Sequence, residues 1–257
     1  MLKIDFNTRI TAVLTGLFGV LGSVAAIAGP LDTLQPERHG DFGHYTLALT
    51  WQPGFCAEGS CAPDQNRDIQ IGIHGLWASR PQNLIDRDIE APQWWSKGCD
   101  LYHHSEAAPE LSDATHDRLE QLMPQLEPSL LTHEYDKHVQ CFGFDTQQFF
   151  DAELALRDRV ADSPFGDWLR AHGGQSIART DLLDAFDRAF DTDKTEALQL
   201  RCSGEDNRRY LSQLWFTIPR QKLAAFPQGA GLMNAPIAQH NCPTRFTIPV
   251  WDKAEAG

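Results

Sequence analysis

Tyr45-Thr46-Leu47-Ala48-Leu49-Thr50-Trp51 decides the fold class, because its large side chains fall on every second residue. That period sends Tyr45, Leu47, Leu49 and Trp51 to one face of an extended strand and Thr46, Ala48 and Thr50 to the other. Pro53-Gly54 ends the strand. Ile69, Ile71 and Ile73 alternate again. If they face the core, Gln70, Gly72 and His74 face the opposite side, which puts His74 on a cleft-facing or exposed surface at a strand end. Tyr210 to Ile218 reads as a third strand, and Phe246, Ile248 and Val250 as a short last one. Helical spacing lies between these strands: residues 111–123, interrupted by Pro124 and then Pro128; residues 129–139; a run capped by Asp145 or Thr146 and continuing through Leu156; Phe165 to Ala171; and a stripe of Leu182, Leu183, Phe186 and Phe190. Residues 56–68 and 78–98 read as loops, the second with short turns around Trp94-Trp95. Strands and helices mix without βαβ alternation, so the class is α+β, in a single domain without repeats or an internal linker.

The 257 residues are 42% hydrophobic and 22% charged, which excludes disordered, collagen-like and polytopic membrane chains. A net charge of −13 leaves no global basic surface to attract a polyanion, so any nucleic-acid recognition has to be local. Residues 1–28 read as an export signal: Lys3 and Arg9 precede an uncharged stretch from Thr11, and Ala26-Ile27-Ala28 fits a small-x-small cleavage site. The competing reading, an uncleaved anchor, suffers from a short span diluted by Gly16, Gly19, Gly22 and Ser23. The mature chain, residues 29–257, is then expected to be periplasmic or secreted, monomeric and free of stable membrane association. All six cysteines, Cys56, Cys61, Cys99, Cys141, Cys202 and Cys242, follow the signal. An even number in an exported chain points to disulfides, with the pairing open at this level. No C-x-x-C occurs, which weakens a zinc reading.

Two segments can carry chemistry. One is Ile73-His74-Gly75-Leu76-Trp77; the other is His133-Glu134-Tyr135-Asp136-Lys137-His138. On an ordinary helix His133, Glu134, Lys137 and His138 fall within an arc of about 140°. Two imidazoles, a carboxylate and an ammonium make a poor core face, but suit a cleft where protons move and an anion forms. The metal motif H-E-x-x-H needs its second histidine four residues on, where this chain has Lys137, so no metal and no other cofactor is expected. Two histidines instead suit cleavage of RNA, whose 2′-hydroxyl is its own nucleophile. One neutral imidazole takes the hydroxyl proton, and one imidazolium protonates the leaving oxygen. Lys137 would stabilise the charge that develops on phosphorus. Glu134 would hold Lys137 or His138, raising the pKa of His138 and placing optimal activity on the acid side of neutrality.

His-Gly-Leu-Trp at 74–77 and His-Glu-x-x-Lys-His at 133–138 resemble the two active-site signatures of the ribonuclease T2 family. Tyr45 to Cys56 is similar to the family's first core strand and the cysteine after it, and the resemblance spans roughly residues 43–250. It implies an RNase T2-type fold with a central antiparallel sheet flanked by helices. It also implies a metal-independent endoribonuclease that acts through a 2′,3′-cyclic phosphate. Carried over, His74 and His138 are the acid–base pair, with His138 as base and His74 as acid in the usual assignment. Glu134 and Lys137 assist the transition state, His133 binds phosphate, Trp77 stacks on a base, and Gln52 lies near the second nucleotide site. The resemblance places a bridge at Cys99 and Cys141, and the full expected set is Cys56–Cys61, Cys99–Cys141 and Cys202–Cys242. Ala78, Ser79 and Val139 depart from the family pattern without removing a proton-transfer group, so broad base specificity is expected.

Blander readings apply elsewhere. His39, His44, His103, His104, His116, His172 and His240 have no supporting pattern and read as surface or locally hydrogen-bonded residues. Trp51, Trp94 and Trp95 read as core. No nucleophile elbow supports serine catalysis. A second class of function, an exported RNA-binding or inhibitor-like module without turnover, would have no need to keep His74, Glu134, Lys137 and His138 together.

Overall fold

Strand β1, His44–Trp51, lies between β2, Ile71–Ala78, and β5, Tyr210–Pro219, and pairs antiparallel with both. This is a computed structural model, and it describes residues 31, 34–57, 61–104, 107–205 and 208–251. The export signal expected over residues 1–28 lies outside the described residues. Among the described residues no helix is long and apolar enough to cross a membrane.

After β1 come α1, Gln52–Phe55, then β2 and three helices, α2, Gln82–Ile85, α3, Ala91–Lys97, and α4, Asp113–Leu122. Next are α5, Leu130–Glu134, a π-turn over Tyr135–Val139, α6, Thr146–Ala161, and α7, Pro164–Ala171. The chain continues through β3, Ser176–Ala178, α8, Arg179–Phe190, β4, Leu198–Ser203, β5 and β6, Arg245–Thr247. The sheet runs β2-β1-β5-β6-β3, with β4 also on β5. Its pairings are antiparallel except β5 with β6, so the expected antiparallel sheet is slightly mixed.

Alternation sorts the sheet into two faces. Leu47 and Leu49 of β1, Ile71, Ile73 and Leu76 of β2, and Leu214, Phe216 and Ile218 of β5 are buried in the core. Phe149, Phe150, Leu154 and Leu156 of α6, Phe165 of α7, and Phe186 and Phe190 of α8 are buried in the same core. Asp145 caps α6, its Oδ1 accepting from the Gln148 amide at 2.9 Å. The other face of β1 and β5, with Thr46, Gln213, Trp215 and Thr217, belongs to the functional side of the molecule.

Several sequence expectations shift. Trp51 and Trp94 are core residues, but Trp95 is 42% exposed, because α3 turns only its Trp94 side inward. Segments β3 and β4 and the short helices α2 and α3 carry too little periodic pattern to stand out in the sequence. The last strand covers only Arg245–Thr247. All three disulfides form as expected: Cys56–Cys61, Cys99–Cys141 and Cys202–Cys242.

Candidate active site

His74 is not at a strand end. β2 continues through Ala78, and the β1–β2 register passes from Leu49↔Ile73 to Ala48↔Gly75. His74 is therefore the extra residue of a β-bulge, a device that breaks the pleat and re-aims a side chain. Gly75 beside it has no freedom to be larger: a Cβ there would sit 2.2 Å from Glu134 Oε2 and 2.5 Å from Trp77 Nε1. The missing side chain lets a buried carboxylate approach the strand.

That carboxylate comes from the second segment, which is not an ordinary helix. It is α-helical through Glu134 and widens into the π-turn over Tyr135–Val139. A π-turn closes hydrogen bonds five residues apart, so it brings His133 and His138 to nearly the same side. The segment is anchored at both flanks. The Cys99–Cys141 disulfide ties its end to the residues after α3. Gly98, at φ +52°, packs so closely on Lys137 that a Cβ would lie 2.2 Å from the Lys137 carbonyl oxygen. His104 Nε2 meets Asp136 Oδ1 at 3.2 Å, so this histidine, unassigned by pattern, braces the turn.

Glu134 is 2% exposed, with both oxygens engaged. Its Oε2 accepts from the Trp77 indole N–H at 2.6 Å, and its Oε1 lies 3.4 Å from His74 Nε2. His74 Nδ1 meets Gln213 Oε1 at 2.8 Å. Trp77 contacts both candidate imidazoles, its ring centroid 5.1 Å from His74 and 5.5 Å from His138. His133 is 6.4 Å from His138 by ring centroids. His74, Trp77, His133, Glu134, Lys137 and His138 all line one groove of about 690 Å³.

The two imidazoles titrate in opposite directions. Burial alone would depress His74, but the hydrogen bond and charge of Glu134, with the Gln213 contact, outweigh it and raise its pKa above 6.5. Burial likewise dominates at His138, where Lys137, His133 and His74 add cationic repulsion, and its pKa falls to about 4. Glu134 raises His138 as expected, but burial outweighs it, so the net shift of His138 is downward, and the imidazole whose pKa ends up raised is His74. Glu134 itself, although buried, is held below its ordinary range by His138 and His74 and by the Trp77 hydrogen bond. The groove thus pairs His74, whose protonated form is favoured, with an anionic Glu134, and sets beside them a His138 that is neutral at neutral pH.

Ligand atoms of His133, Glu134 and His138 lie within 4.8 Å of one another. The π-turn therefore undoes the spacing objection to a metal, which assumed α-helical geometry. The chemistry of the trio weighs against a cation on other grounds: both Glu134 oxygens are already engaged, and Lys137 lines the same groove.

Gln52 does not reach the groove. It is fully buried, its Nε2 donating to the Leu122 carbonyl at 2.8 Å and its Oε1 accepting from Gln65 Nε2 at 3.2 Å. Its amide ties α1 to the end of α4, which corrects its expected place beside a nucleotide. Of the departures from the family pattern, Ala78 and Val139 are buried. Ser79 Oγ accepts from the Gly43 and His44 amides at 3.1 and 3.2 Å, securing the start of β1. Sequence reading missed His44, Gln213 and Trp215. His44 lies on the groove wall. Gln213 and Trp215 share the groove-side face of β5 with Thr217, and the alternation against Leu214, Phe216 and Ile218 was the available signal.

The chain is 30% identical to Ribonuclease I of Escherichia coli (strain K12) over 250 residues, covering 86% of this chain and 90% of that one. It is 28% identical to Ribonuclease S-2 of Nicotiana alata over 125 residues, 47% of this chain and 54% of that one. In fold it resembles the Nicotiana alata self-incompatibility-associated SF11-RNase, with TM-score 0.55 at 17% identity, covering 81% of this chain and all of that one. It also resembles ribonuclease MC1 from bitter gourd seeds, with TM-score 0.52 at 17% identity, covering 80% of this chain and all of that one. The sequence model of the Ribonuclease T2 family matches residues 42–228, which include both histidine segments, and the chain belongs to that family.

Proposed function

We propose that this protein is an exported endoribonuclease that cleaves single-stranded RNA by metal-independent transesterification, with broad base specificity. The observation that carries the reading is the pair of imidazoles in contact with Trp77 in one groove, one with its pKa raised by Glu134 and the other with its pKa lowered by burial. Neutral His138 takes the proton of the ribose 2′-hydroxyl as its oxygen attacks the adjacent phosphorus. The P–O5′ bond breaks, and His74, protonated at Nε2, gives that proton to the leaving 5′-oxygen. The products are a 2′,3′-cyclic phosphate and a free 5′-hydroxyl. Lys137 offsets the negative charge that grows on the non-bridging oxygens, and His133 binds the phosphate. Glu134 keeps His74 charged until the leaving group needs its proton.

An RNA substrate fits a chain with net charge −13 only if attraction is local. Lys137 supplies it within one groove, with the imidazoles of His133 and His74 beside it. Trp77 offers an aromatic surface there for a base. A groove wall of His44, Thr46, Thr217 and Gln199 adds neutral groups able to donate or accept, which suits tolerance of all four bases. A variant of ribonuclease MC1 has been solved in complex with 5′-GMP, so a protein of this fold accommodates a nucleotide. Three disulfides and the likeness to Escherichia coli Ribonuclease I support export and a periplasmic or secreted location.

The test is incubation of the purified protein with RNA and with its 2′-deoxy analogue in chelator, followed by identification of the product ends. Time-dependent cyclic phosphate from RNA alone is expected, with His74→Ala and His138→Ala folded but inactive. Binding of RNA without time-dependent cleavage would instead support a binding module, and loss of activity in chelator a metal-dependent hydrolase.

A further inference from the structure

We infer that Gln213 is a positioning residue that fixes the tautomer of His74, and that Trp215 fixes Gln213. Neither residue belongs to either histidine segment. The inference rests on the proposed role of His74 as acid.

Trp215 Nε1 lies 2.9 Å from Gln213 Oε1. An indole N–H only donates, so the atom it meets must be the amide oxygen; flipping the amide would press its NH₂ group against another N–H. The same oxygen lies 2.8 Å from His74 Nδ1. Facing an acceptor whose identity is settled, Nδ1 must carry a proton in both charge states of the ring. The mobile proton is thereby confined to Nε2, the nitrogen 3.4 Å from Glu134 Oε1. The alternative neutral tautomer, with Nε2 protonated and Nδ1 bare, would set a lone pair against the amide oxygen. It would also leave Nε2 still protonated after the ring had lost its charge.

The lock is preassembled. Gln213 and Trp215 are two apart on β5, so they share one face of the sheet. Arg201 of the neighbouring β4 stacks its guanidinium 4.6 Å from the Trp215 ring centroid. Trp77 meets the same indole edge-to-face at 5.2 Å. Glu134, on α5, is the charged group that faces His74 directly, with His138 and Lys137 following on the π-turn; Phe55 and Trp77 supply its aromatic contacts. Gln213 adds direction without adding charge.

The test compares two substrates that share the attack step and differ in the leaving group. One is a dinucleoside phosphate, whose 5′-alkoxide needs a proton. The other is the matching nucleoside 3′-(4-nitrophenyl phosphate), whose phenolate leaves without one. Gln213→Leu is expected to slow the dinucleotide by about 10²-fold, the lower end of what a general acid supplies, and to leave the nitrophenyl ester little changed. Trp215→Phe, which frees the amide to flip, should show the same selectivity at smaller size. Gln213→Glu keeps an acceptor oxygen in place and should restore dinucleotide cleavage. Nitrogen-15 spectra of the His74 ring should find Nδ1 protonated in the wild type above its pKa and a tautomer mixture in Gln213→Leu.

Equal loss on both substrates, or an unchanged tautomer in Gln213→Leu, would overturn the lock. Full activity of Gln213→Leu beside an inactive His74→Ala would overturn the lock and spare the acid. Activity in His74→Ala would overturn the acid and the lock with it.

Discussion

Replacing Glu134 with glutamine removes a charge from the centre of the groove while nearly preserving shape, because an amide oxygen can still accept from Trp77. What is lost is the partner that keeps His74 protonated. At 3.4 Å and an effective dielectric constant near 20, the Coulomb attraction is about 5 kcal/mol before desolvation is subtracted. Each ~1.4 kcal/mol that survives that subtraction is a factor of ten in the acidity of the imidazolium. The sign follows from His74 acting as an acid: activity is present below its folded pKa and lost above it. Wild-type His74 lies above 6.5, so its alkaline limb begins beyond that point. His138 must be neutral, and with a pKa of about 4 it sets the acid limb. The wild-type window therefore runs from about 4, set by His138, to a limit above 6.5, set by His74. In Glu134→Gln, only the Gln213 contact is left to oppose burial at His74, and the alkaline limb moves toward acid. The acid limb also moves down, because Glu134 no longer raises His138. The measurement is kcat/KM for a dinucleoside phosphate from about pH 3.5 to about pH 9 at fixed ionic strength. The expected loss is about 10–100-fold near pH 7.5, shrinking to a few-fold near pH 5. A loss of the same size at every pH, with both limbs unmoved, would refute the assignment of Glu134 as holder of the His74 proton.

Other perturbations test neighbouring parts. Gly75→Ala places a methyl group 2.2 Å from Glu134 Oε2, so it should displace the carboxylate and lower activity at least tenfold while Tm falls only modestly; unchanged kcat/KM would contradict the close approach. Removing Cys99–Cys141 by double alanine substitution opens a closure spanning 42 residues, with an expected loss of about 4 kcal/mol in urea unfolding and a larger proportional loss of activity from the loosened π-turn. Glu153 on α6 is fully buried, and among the described residues neither of its oxygens has a hydrogen-bond partner. Its pKa is raised well above 4.5 by burial and by the charge of Glu134, so the folded state holds it neutral and stability falls as pH rises above that value. Against Glu153→Gln the wild type should lose ground by about 1.4 kcal/mol per pH unit above 4.5 until its carboxyl ionises in the fold; a stability gap independent of pH would exclude this. Lys137→Met should reduce kcat more than it raises KM, because its charge matters most as phosphorus gains negative charge, and the reverse split would assign it to ground-state binding.

The local patterns of the chain carried a great deal by themselves. Period-two runs at Tyr45–Trp51 and Tyr210–Ile218 are long enough to declare strands, and Asp145 announces the start of its helix by a capping side chain that acts within three residues. Export-type cysteine usage and the two histidine segments, matched to known signatures, were enough to bring His74, Trp77, Glu134, Lys137 and His138 to one groove. Tertiary structure decided what no local pattern encodes. His74 faces the groove through a bulge, visible only in the register of two strands. The i, i+5 histidines converge because the helix widens after Glu134, while an ideal helical wheel separates them. The resemblance put Gln52 near a nucleotide, yet an acceptor 70 residues away, the Leu122 carbonyl, holds it inside. Burial set His138 neutral against the nearby carboxylate, and burial is a property of the packed groove. Periodicity and capping act within a few residues and so can be read along the chain; desolvation, register and long-range hydrogen bonds depend on which segments meet, and only the folded chain determines that.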